Sequence, residues 1–403
     1  MIKHLFRIIW NKKRHNALIT IEILISFLVL YAVIAMSVLG LIRYNQPLGF
    51  SYENVWKIEI DTRLSFDSVY NKEKKAIVQQ LLLTLRGTPE IEQVCAWAIP
   101  PYSNNMSTWG SDLNGKLLRI AIHNGSEDAR QVLGLNLIEG RWFEPGDKSL
   151  NWRPVVINEL LAHTIFGAES PLGKNPYPKG DETRGKPFED YRVVGVIDDF
   201  RKGGELSEPM CTVIEYLNIE RTTQAVSSNL MIKVKPGTTA AFKEKLDRQM
   251  TAVAKGWSFD ISTLEEMRRA SFKPQLTFLL AVGLVAGFLL LMVALGLIGV
   301  LWQNVSRRTK EIGLRRALGG TSRNIYWQIL GELLVLTSFG LIVGSLGIAQ
   351  FPLLELIASV PANVYLVSFV VSLAFMYGMS VLCGLYPSWL AMEIEPAEAL
   401  HYE

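Results

Sequence analysis

The run "LTFLLAVGLVAGFLLLMVALGLIGVLWQNVSRRTKEIGLRRALGG", Leu276–Gly320, decides the fold. Leu276–Trp302 holds no charge, and the chain then turns abruptly basic, with Arg307, Arg308, Lys310, Arg315 and Arg316 around a single acid, Glu311. An α-helix rising about 1.5 Å per residue crosses the roughly 30 Å of bilayer hydrocarbon within such a run. With no water in that layer, every backbone amide has to be satisfied inside the segment, so the run is a helix. Three more runs share the character: Leu18–Ile42, interrupted by Glu22; Ile329–Phe351, holding Glu332; and the uncharged Val364–Tyr386. The first is too long for a signal-peptide core and no small-residue cleavage site ends it, so it reads as a span.

Lysine and arginine placement orients the spans. Lys3, Arg7, Lys12, Lys13 and Arg14 precede the first; the five basic residues above and Arg323 lie between the second and third; none lies in "PLLELIASVPAN" between the third and fourth. The N-terminus, the Arg307 loop and the C-terminus are therefore expected in the cytoplasm, and residues 43–273 outside it. The implied division is a cytoplasmic amphipathic segment (1–16), spans at 17–42, 274–303, 327–351 and 364–387, a cytoplasmic loop (304–326), a short outer loop (352–363) and a cytoplasmic tail (388–403).

The 41 Lys+Arg and 38 Asp+Glu give a net +3 that comes from the membrane part, leaving residues 43–273 formally neutral. A neutral outer domain argues against nucleic acid as partner. "NVWKIEI" (Asn54–Ile60) alternates as a half-buried strand; "NKEKKAIVQQLLLTLR" carries Ile77, Leu81, Leu82 and Leu85 on one helical face; "EQVCAWAI" (Glu92–Ile99) is a strand. "NLMIKVKPG", "TTAAFKEKLDRQMTAVA" and "WSFDIST" repeat strand, helix, strand before the second span. The expected fold is thus a membrane protein of four transmembrane α-helices. A large α+β extracytoplasmic domain lies between helices 1 and 2: a split βαβ subdomain (43–100 and 229–273) holding an inserted, mainly-β subdomain (101–228). Pro171–Pro187 reads as a long exposed loop.

No catalytic constellation emerges. "GSDLNGKL" (Gly110–Leu117) has the spacing of a phosphate-binding loop but ends in Leu117 where magnesium needs Ser or Thr; a β-turn at Asn114-Gly115 is favoured. The five histidines lack metal-ligand spacing, so no metal site is expected. Asp198-Asp199 reads as a solvated turn. Cys95 and Cys211 could pair or stay as buried thiols, and spacing does not decide it.

On a helix, Glu311 lies four residues from both Arg307 and Arg315, and Leu314, Ala317 and Leu318 share another face. Gly319-Gly320 stops the helix, and Thr321 or Ser322 caps the next. A plain topogenic loop explains the arginines but not the apolar face or the double-glycine stop, which suit docking into a groove on a cytosolic protein. Glu22 and Glu332 are membrane-embedded acids near the cytoplasmic side, where reaching headgroups or pairing with the basic cluster competes with a functional role. Gly340-x-x-x-Gly344 permits close helix packing, within the subunit or across a dimer.

"RRTKEIGLRRALGGTSRNIYWQILGE" resembles the signature of MacB/FtsX-type ABC-transporter permeases. "IEGRWFEPGD" (Ile138–Asp147), "VVINELLAHTIFG" with "PLGK", and "YRVVGVIDDF" (Tyr191–Phe200) are similar to the MacB periplasmic core domain; "YPSWLAMEIEPAEALHYE" resembles the closing segment. The resemblance implies a non-catalytic permease subunit of the bacterial inner membrane, with no cofactor of its own because ATP binds a separate cytosolic ABC ATPase. It implies a dimer with itself or a second permease, and a coupling role for Glu311, Ile312, Gly313, Leu314, Arg315, Arg316, Ala317 and Gly319. ATP-driven closure would be transmitted to the outer domain, for efflux or extrusion, with a membrane-fusion adaptor or other outer partner and membrane lipid as further contacts. An FtsX-like regulator of cell-wall hydrolases and a Lol-like lipoprotein-extracting permease are the alternatives.

Overall fold

The computed structural model describes residues 13–61, 68–113, 116–177, 191–217, 229–318, 321–354 and 360–393. The N-terminal 1–12, the 178–187 part of the proline-rich stretch, Gly319-Gly320 and the end of the tail lie outside them. Chain contacts divide the protein into a helical unit (1–42 with 275–403) and an α+β unit (43–274).

The helical unit contains α1 (Lys13–Tyr44) as far as Ile42, α6 (Leu264–Arg307) from Gln275 on, α7 (Thr309–Ala317), α8 (Ser322–Leu353) and α9 (Ala362–Glu393). Four of these are long and apolar enough to cross a membrane. Pro274, which removes one amide from the α6 ladder, falls at the boundary between the two units. Ile19, Ile23, Phe27 and Leu30, recurring every three or four residues, bury one stripe of α1 against Val293, Leu297 and Leu301 of α6, Leu333, Leu336 and Leu341 of α8, and Met376 of α9. Lipid tails are as apolar as these side chains, so close backbone approach and polar contacts hold the helices together. A Cβ on Gly340 would lie 2.9 Å from Ile23 Cγ2, and one on Gly344 would lie 2.6 Å from Phe27 Cδ1. The glycine pair therefore seats α1 of the same chain. On α9, Ser368, Ser372, Met376, Ser380, Gly384 and Ser388 recur every four residues, and the four serines are fully buried. There Ser380 meets Thr337 of α8 hydroxyl to hydroxyl at 3.0 Å, and Tyr377 meets Ser338 at 2.9 Å.

The α+β unit is built on two sheets. In the first, β1 (Val55–Asp61), β2 (Ile91–Ala96), β9 (Asn229–Val234) and β10 (Ser258–Thr263) lie in the order β10-β1-β9-β2, all antiparallel. Helices α2 (Ser68–Arg86) and α5 (Ala240–Val253) join β1 to β2 and β9 to β10. Each strand pair brackets a strand of the other, which is the split βαβ arrangement. Period-two alternation sends Trp56, Ile58 and Ile60 of β1 into the core with Val78, Leu81 and Leu85 of α2 and Phe242, Leu246 and Met250 of α5.

The second sheet is inserted between β2 and β9. It contains β3 (Thr108–Leu113), β4 (Lys116–Gly125), β5 (Leu137–Gly140), β6 (Arg153–Asn158), β7 (Tyr191–Ile197) and β8 (Cys211–Tyr216) in the order β3-β4-β8-β6-β7-β5. Two short helices, α3 (Ala129–Leu133) and α4 (Glu159–Phe166), accompany it. The described parts of the phosphate-loop look-alike lie on β3 and β4, which pair antiparallel with Leu113 opposite Lys116. Cys95 and Cys211 are separate, buried free thiols on β2 and β8.

Two expectations need correction. Pro171–Tyr177 is a loop but only partly exposed: Leu172, Gly173 and Asn175 face outward, whereas the Gly173 amide donates to Val193 O at 2.8 Å and Tyr177 is buried with its hydroxyl 2.8 Å from Glu215. Its aromatic ring is worth more in the core than the prolines around it suggest. Nor is Asp198-Asp199 a solvated turn. Asp199 Oδ1 accepts from Asn158 Nδ2 at 3.0 Å and from the Leu160 amide at 3.2 Å, satisfying a free N–H in the first turn of α4.

Candidate functional site

The Arg307–Gly320 stretch divides between two helices. Arg307 is the last residue of α6, Arg308 makes a turn, and α7 starts at Thr309. Arg307 therefore sits across a bend from Glu311, and the pair that forms is Glu311 with Arg315, one helical turn apart at 2.5 Å. Thr321 caps α8 by accepting from the Asn324 amide, so the next helix starts where its cap residue dictates.

A chain of polar contacts fastens α7 to α8. Arg308 Nη1 donates to both carboxylate oxygens of Glu332 at 2.9 and 3.1 Å. Gln328 Nε2 donates to Glu332 Oε1 at 3.4 Å, and Gln328 Oε1 accepts from Arg315 Nη1 at 2.9 Å. Arg315 closes the series on Glu311. Beneath it, Val305, Ile312 and Ile325 form a small buried cluster with Ile329 packed on it. The Arg308 and Glu332 side chains are 24% and 16% exposed, so this ion pair is shielded from solvent far more than the Glu311–Arg315 pair. Shielding raises what such a pair contributes, and raises the cost of removing one partner.

The two apolar aspects of α7 have different fates. Ile312 and Gly313 turn inward. Leu314 and Leu318 are 52% and 79% exposed, Ala317 is exposed beside them, and Lys310 is exposed nearby. A nine-residue helix is marginal alone; here one side is fixed to α8 while an apolar stripe is left open. Exposed Trp302, Trp327, Tyr386 and Trp389 belong to the helix ends around it, which meet where Gly384 of α9 lies against Leu330, Leu333 and Leu301. Amphipathic aromatics of this kind sit at headgroup level.

Of the residues expected to matter, Glu311, Ile312, Gly313, Leu314, Arg315 and Ala317 share α7, and Glu332 joins them through Arg308. Gly319 and the Arg316 side chain lie outside the description. Glu22 is elsewhere, half-buried on α1, with its Oε2 3.1 Å from where a Gly296 Cβ would be. Sequence reading missed Gln328, whose type and position carry no signal; it offered pairing of Glu332 with the basic cluster but did not single out Arg308 within that run as the partner.

A second polar cluster lies within the α+β unit. Arg201 is 2% exposed, and its guanidinium donates to the carbonyls of Arg43 (2.8 Å), Gln46 (3.2 Å), Ser207 (2.8 Å) and Glu205. Lys202 is buried with Nζ on the carbonyls of Ser103 and Asn105, and burial pushes its ammonium down to about 8. His123 stacks on Trp97 and meets Phe200 edge-on. Burial, with the Lys202 charge nearby, pushes its imidazole down to about 3. No group of three or more metal-ligating side chains is present among the described residues.

Residues 283–396 match the model of the FtsX-like permease C-terminal region, and residues 23–249 match that of the MacB-like periplasmic core domain. The chain belongs to the MacB/FtsX family of ABC-transporter permeases. It is 28% identical over 286 residues to "Uncharacterized ABC transporter permease YknZ" of Bacillus subtilis, covering 70% of each chain. It is 24% identical over 276 residues to "Macrolide export ATP-binding/permease protein MacB" of Bdellovibrio bacteriovorus, covering 66% of this chain and 41% of that one. The periplasmic region of MacB from Actinobacillus actinomycetemcomitans aligns with 18% identity and a TM-score of 0.36, over 55% of this chain and 94% of that one. This MacB/FtsX permease is a multi-pass membrane protein with the α+β domain between its first and second membrane helices.

Proposed function

We propose that the chain is the membrane subunit of an extrusion system in which α7 receives work from a cytosolic ABC ATPase lying outside these 403 residues. In this reading, α7 faces the cytoplasm, as the surrounding Lys and Arg require. The observation that carries it is the two-sidedness of α7. Its inner side is tied to α8 by the Arg308–Glu332–Gln328–Arg315 series, and its outer side presents Leu314, Ala317 and Leu318. A lipid-binding loop needs cations and no rigid mount; a lever needs an apolar contact to be pushed and a stiff attachment to pass the push on. Closure of the ATPase would then move α6 and α8 together and change the conformation of the α+β domain. Export by the MacB relative makes efflux the favoured outcome of that motion.

The test is ATPase stimulation in reconstituted membranes. Leu314→Glu and Leu318→Glu place a charge in the contact and are expected to abolish stimulation, while membrane insertion and thermal stability stay at wild-type values because both side chains are exposed. Wild-type stimulation by both variants would refute the docking reading.

A further inference from the structure

We infer that the loop Asp198–Ser207, "DDFRKGGELS", is the joint that fixes both membrane-connected helix ends to the α+β domain, with Arg201 and Glu205 as its positioning residues. The inference rests on the coupling reading above, and every contact it uses lies within the α+β unit, residues 43–274.

On one side the loop holds the end of α1 and the segment after it. Arg43 contributes one of the last carbonyls of α1, which has no partner within the helix and carries the negative end of its dipole. Arg201 donates to that carbonyl beside the Gln46 amide, which reaches it at 3.2 Å, and donates to the Gln46 carbonyl as well. Its amide donates to Leu48 O at 2.9 Å. The approach leaves no room at Gly49: with φ at +75°, a Cβ there would lie 1.8 Å from Asp199 O. On the other side the loop holds the start of α6. Glu205, almost fully buried, pairs with Arg268, whose guanidinium also covers the Tyr52 ring at 4.6 Å. Tyr44 of α1 and Phe272 of α6 face each other with ring centroids 6.4 Å apart. Between the two grips, Phe200 anchors the loop in the core shared by both sheets, against Phe50, Trp97 and His123.

Holding a loop in place does not need a buried guanidinium; an apolar side chain would do so without desolvating a charge. What Arg201 adds is direction. Four of its hydrogen bonds end on backbone carbonyls of two segments, the end of α1 and the loop's own turn, so those segments move as one body.

The test uses the full chain with its ATPase in lipid nanodiscs, the three cysteines replaced, and spin labels at Met36 and Glu244. The wild type is expected to change its label distance between the nucleotide-free and ATP-trapped states. Arg268→Gln and Glu205→Gln each remove one partner of a shielded pair and are expected to lower the melting temperature. Measured at a temperature where each variant is still fully folded, they are expected to lose that distance change while ATPase stimulation stays at the wild-type value. Arg268→Lys, which keeps the charge, restores the change; a role in stability alone would not give this pattern. A wild-type distance change in Arg268→Gln and Glu205→Gln overturns the joint and leaves the coupling reading standing. A wild type that hydrolyses ATP with no distance change overturns the coupling reading, and the joint with it.

Discussion

Replacing Glu332 by Gln isolates the contribution of the α7 mount. The substitution keeps the shape of the side chain and the buried contact of Ile312, and removes only the charge that faces Arg308 at 2.9 and 3.1 Å. Hydrogen bonds to charged groups contribute about 1.5–3 kcal/mol when shielded, and the low exposure of both side chains places this pair near the middle of that range, at about 2 kcal/mol. A change of that size raises the population of detached α7 about 30-fold. Detachment exposes the helix amides, because so short a helix does not persist alone. Amide hydrogen exchange in nanodiscs reads this directly: the amides of residues 311–317 are expected to exchange about 30-fold faster in Glu332→Gln, while those of β1 and β9 keep their rates. The double reversal Arg308→Glu with Glu332→Arg should recover part of the protection. Unchanged exchange across α7 in Glu332→Gln would refute the mount.

Further predictions concern packing and pH. Gly344→Leu forces a side chain into Phe27 and should destabilise the helical unit by about 1–3 kcal/mol, whereas Gly347→Leu, whose Cβ meets open space, should be tolerated; melting in detergent separates the two. His123 gives an acid limb. An unfolded imidazole titrates near 6.5 and the folded one near 3, so below pH 6.5 the unfolded chain binds a proton the folded chain refuses. Stability is then lost as pH falls from 6.5 toward 3, at up to about 1.4 kcal/mol per pH unit. His123→Phe should flatten the fall in denaturation midpoint between pH 7 and pH 5; an equal fall in both proteins would contradict the buried neutral state.

The parts legible in the sequence were those fixed by local periodicity. Long apolar runs, two of them interrupted by a single Glu, marked the membrane helices, and the alternation of Asn54–Ile60 with the helical face of Ile77, Leu81 and Leu85 marked the first strand and helix of the α+β domain. The interleaved order β10-β1-β9-β2 was not legible, because it depends on pairings across about 200 residues of chain. Residue type misled where tertiary contacts overrule it. Tyr177 sits in a stretch that looks like a loop but fills a core, and Asp199 caps a helix far along the chain. In α7 the apolar stripe was legible, but Ile312 facing inward and Leu314 outward follow from where α8 lies. Arg201 left no trace at all, since its partners are backbone carbonyls, which every residue possesses.

On the docking reading, α7 presents its apolar stripe to an ATPase. A photo-cross-linking residue at Leu318 tests it most directly, with one at Leu346, exposed on the membrane-crossing part of α8, as the control. A nucleotide-dependent cross-link from position 318 to the ATP-hydrolysing subunit is expected, with none from position 346. Cross-links from position 318 to lipid or to a second copy of the chain alone, in every nucleotide state, would contradict the docking reading.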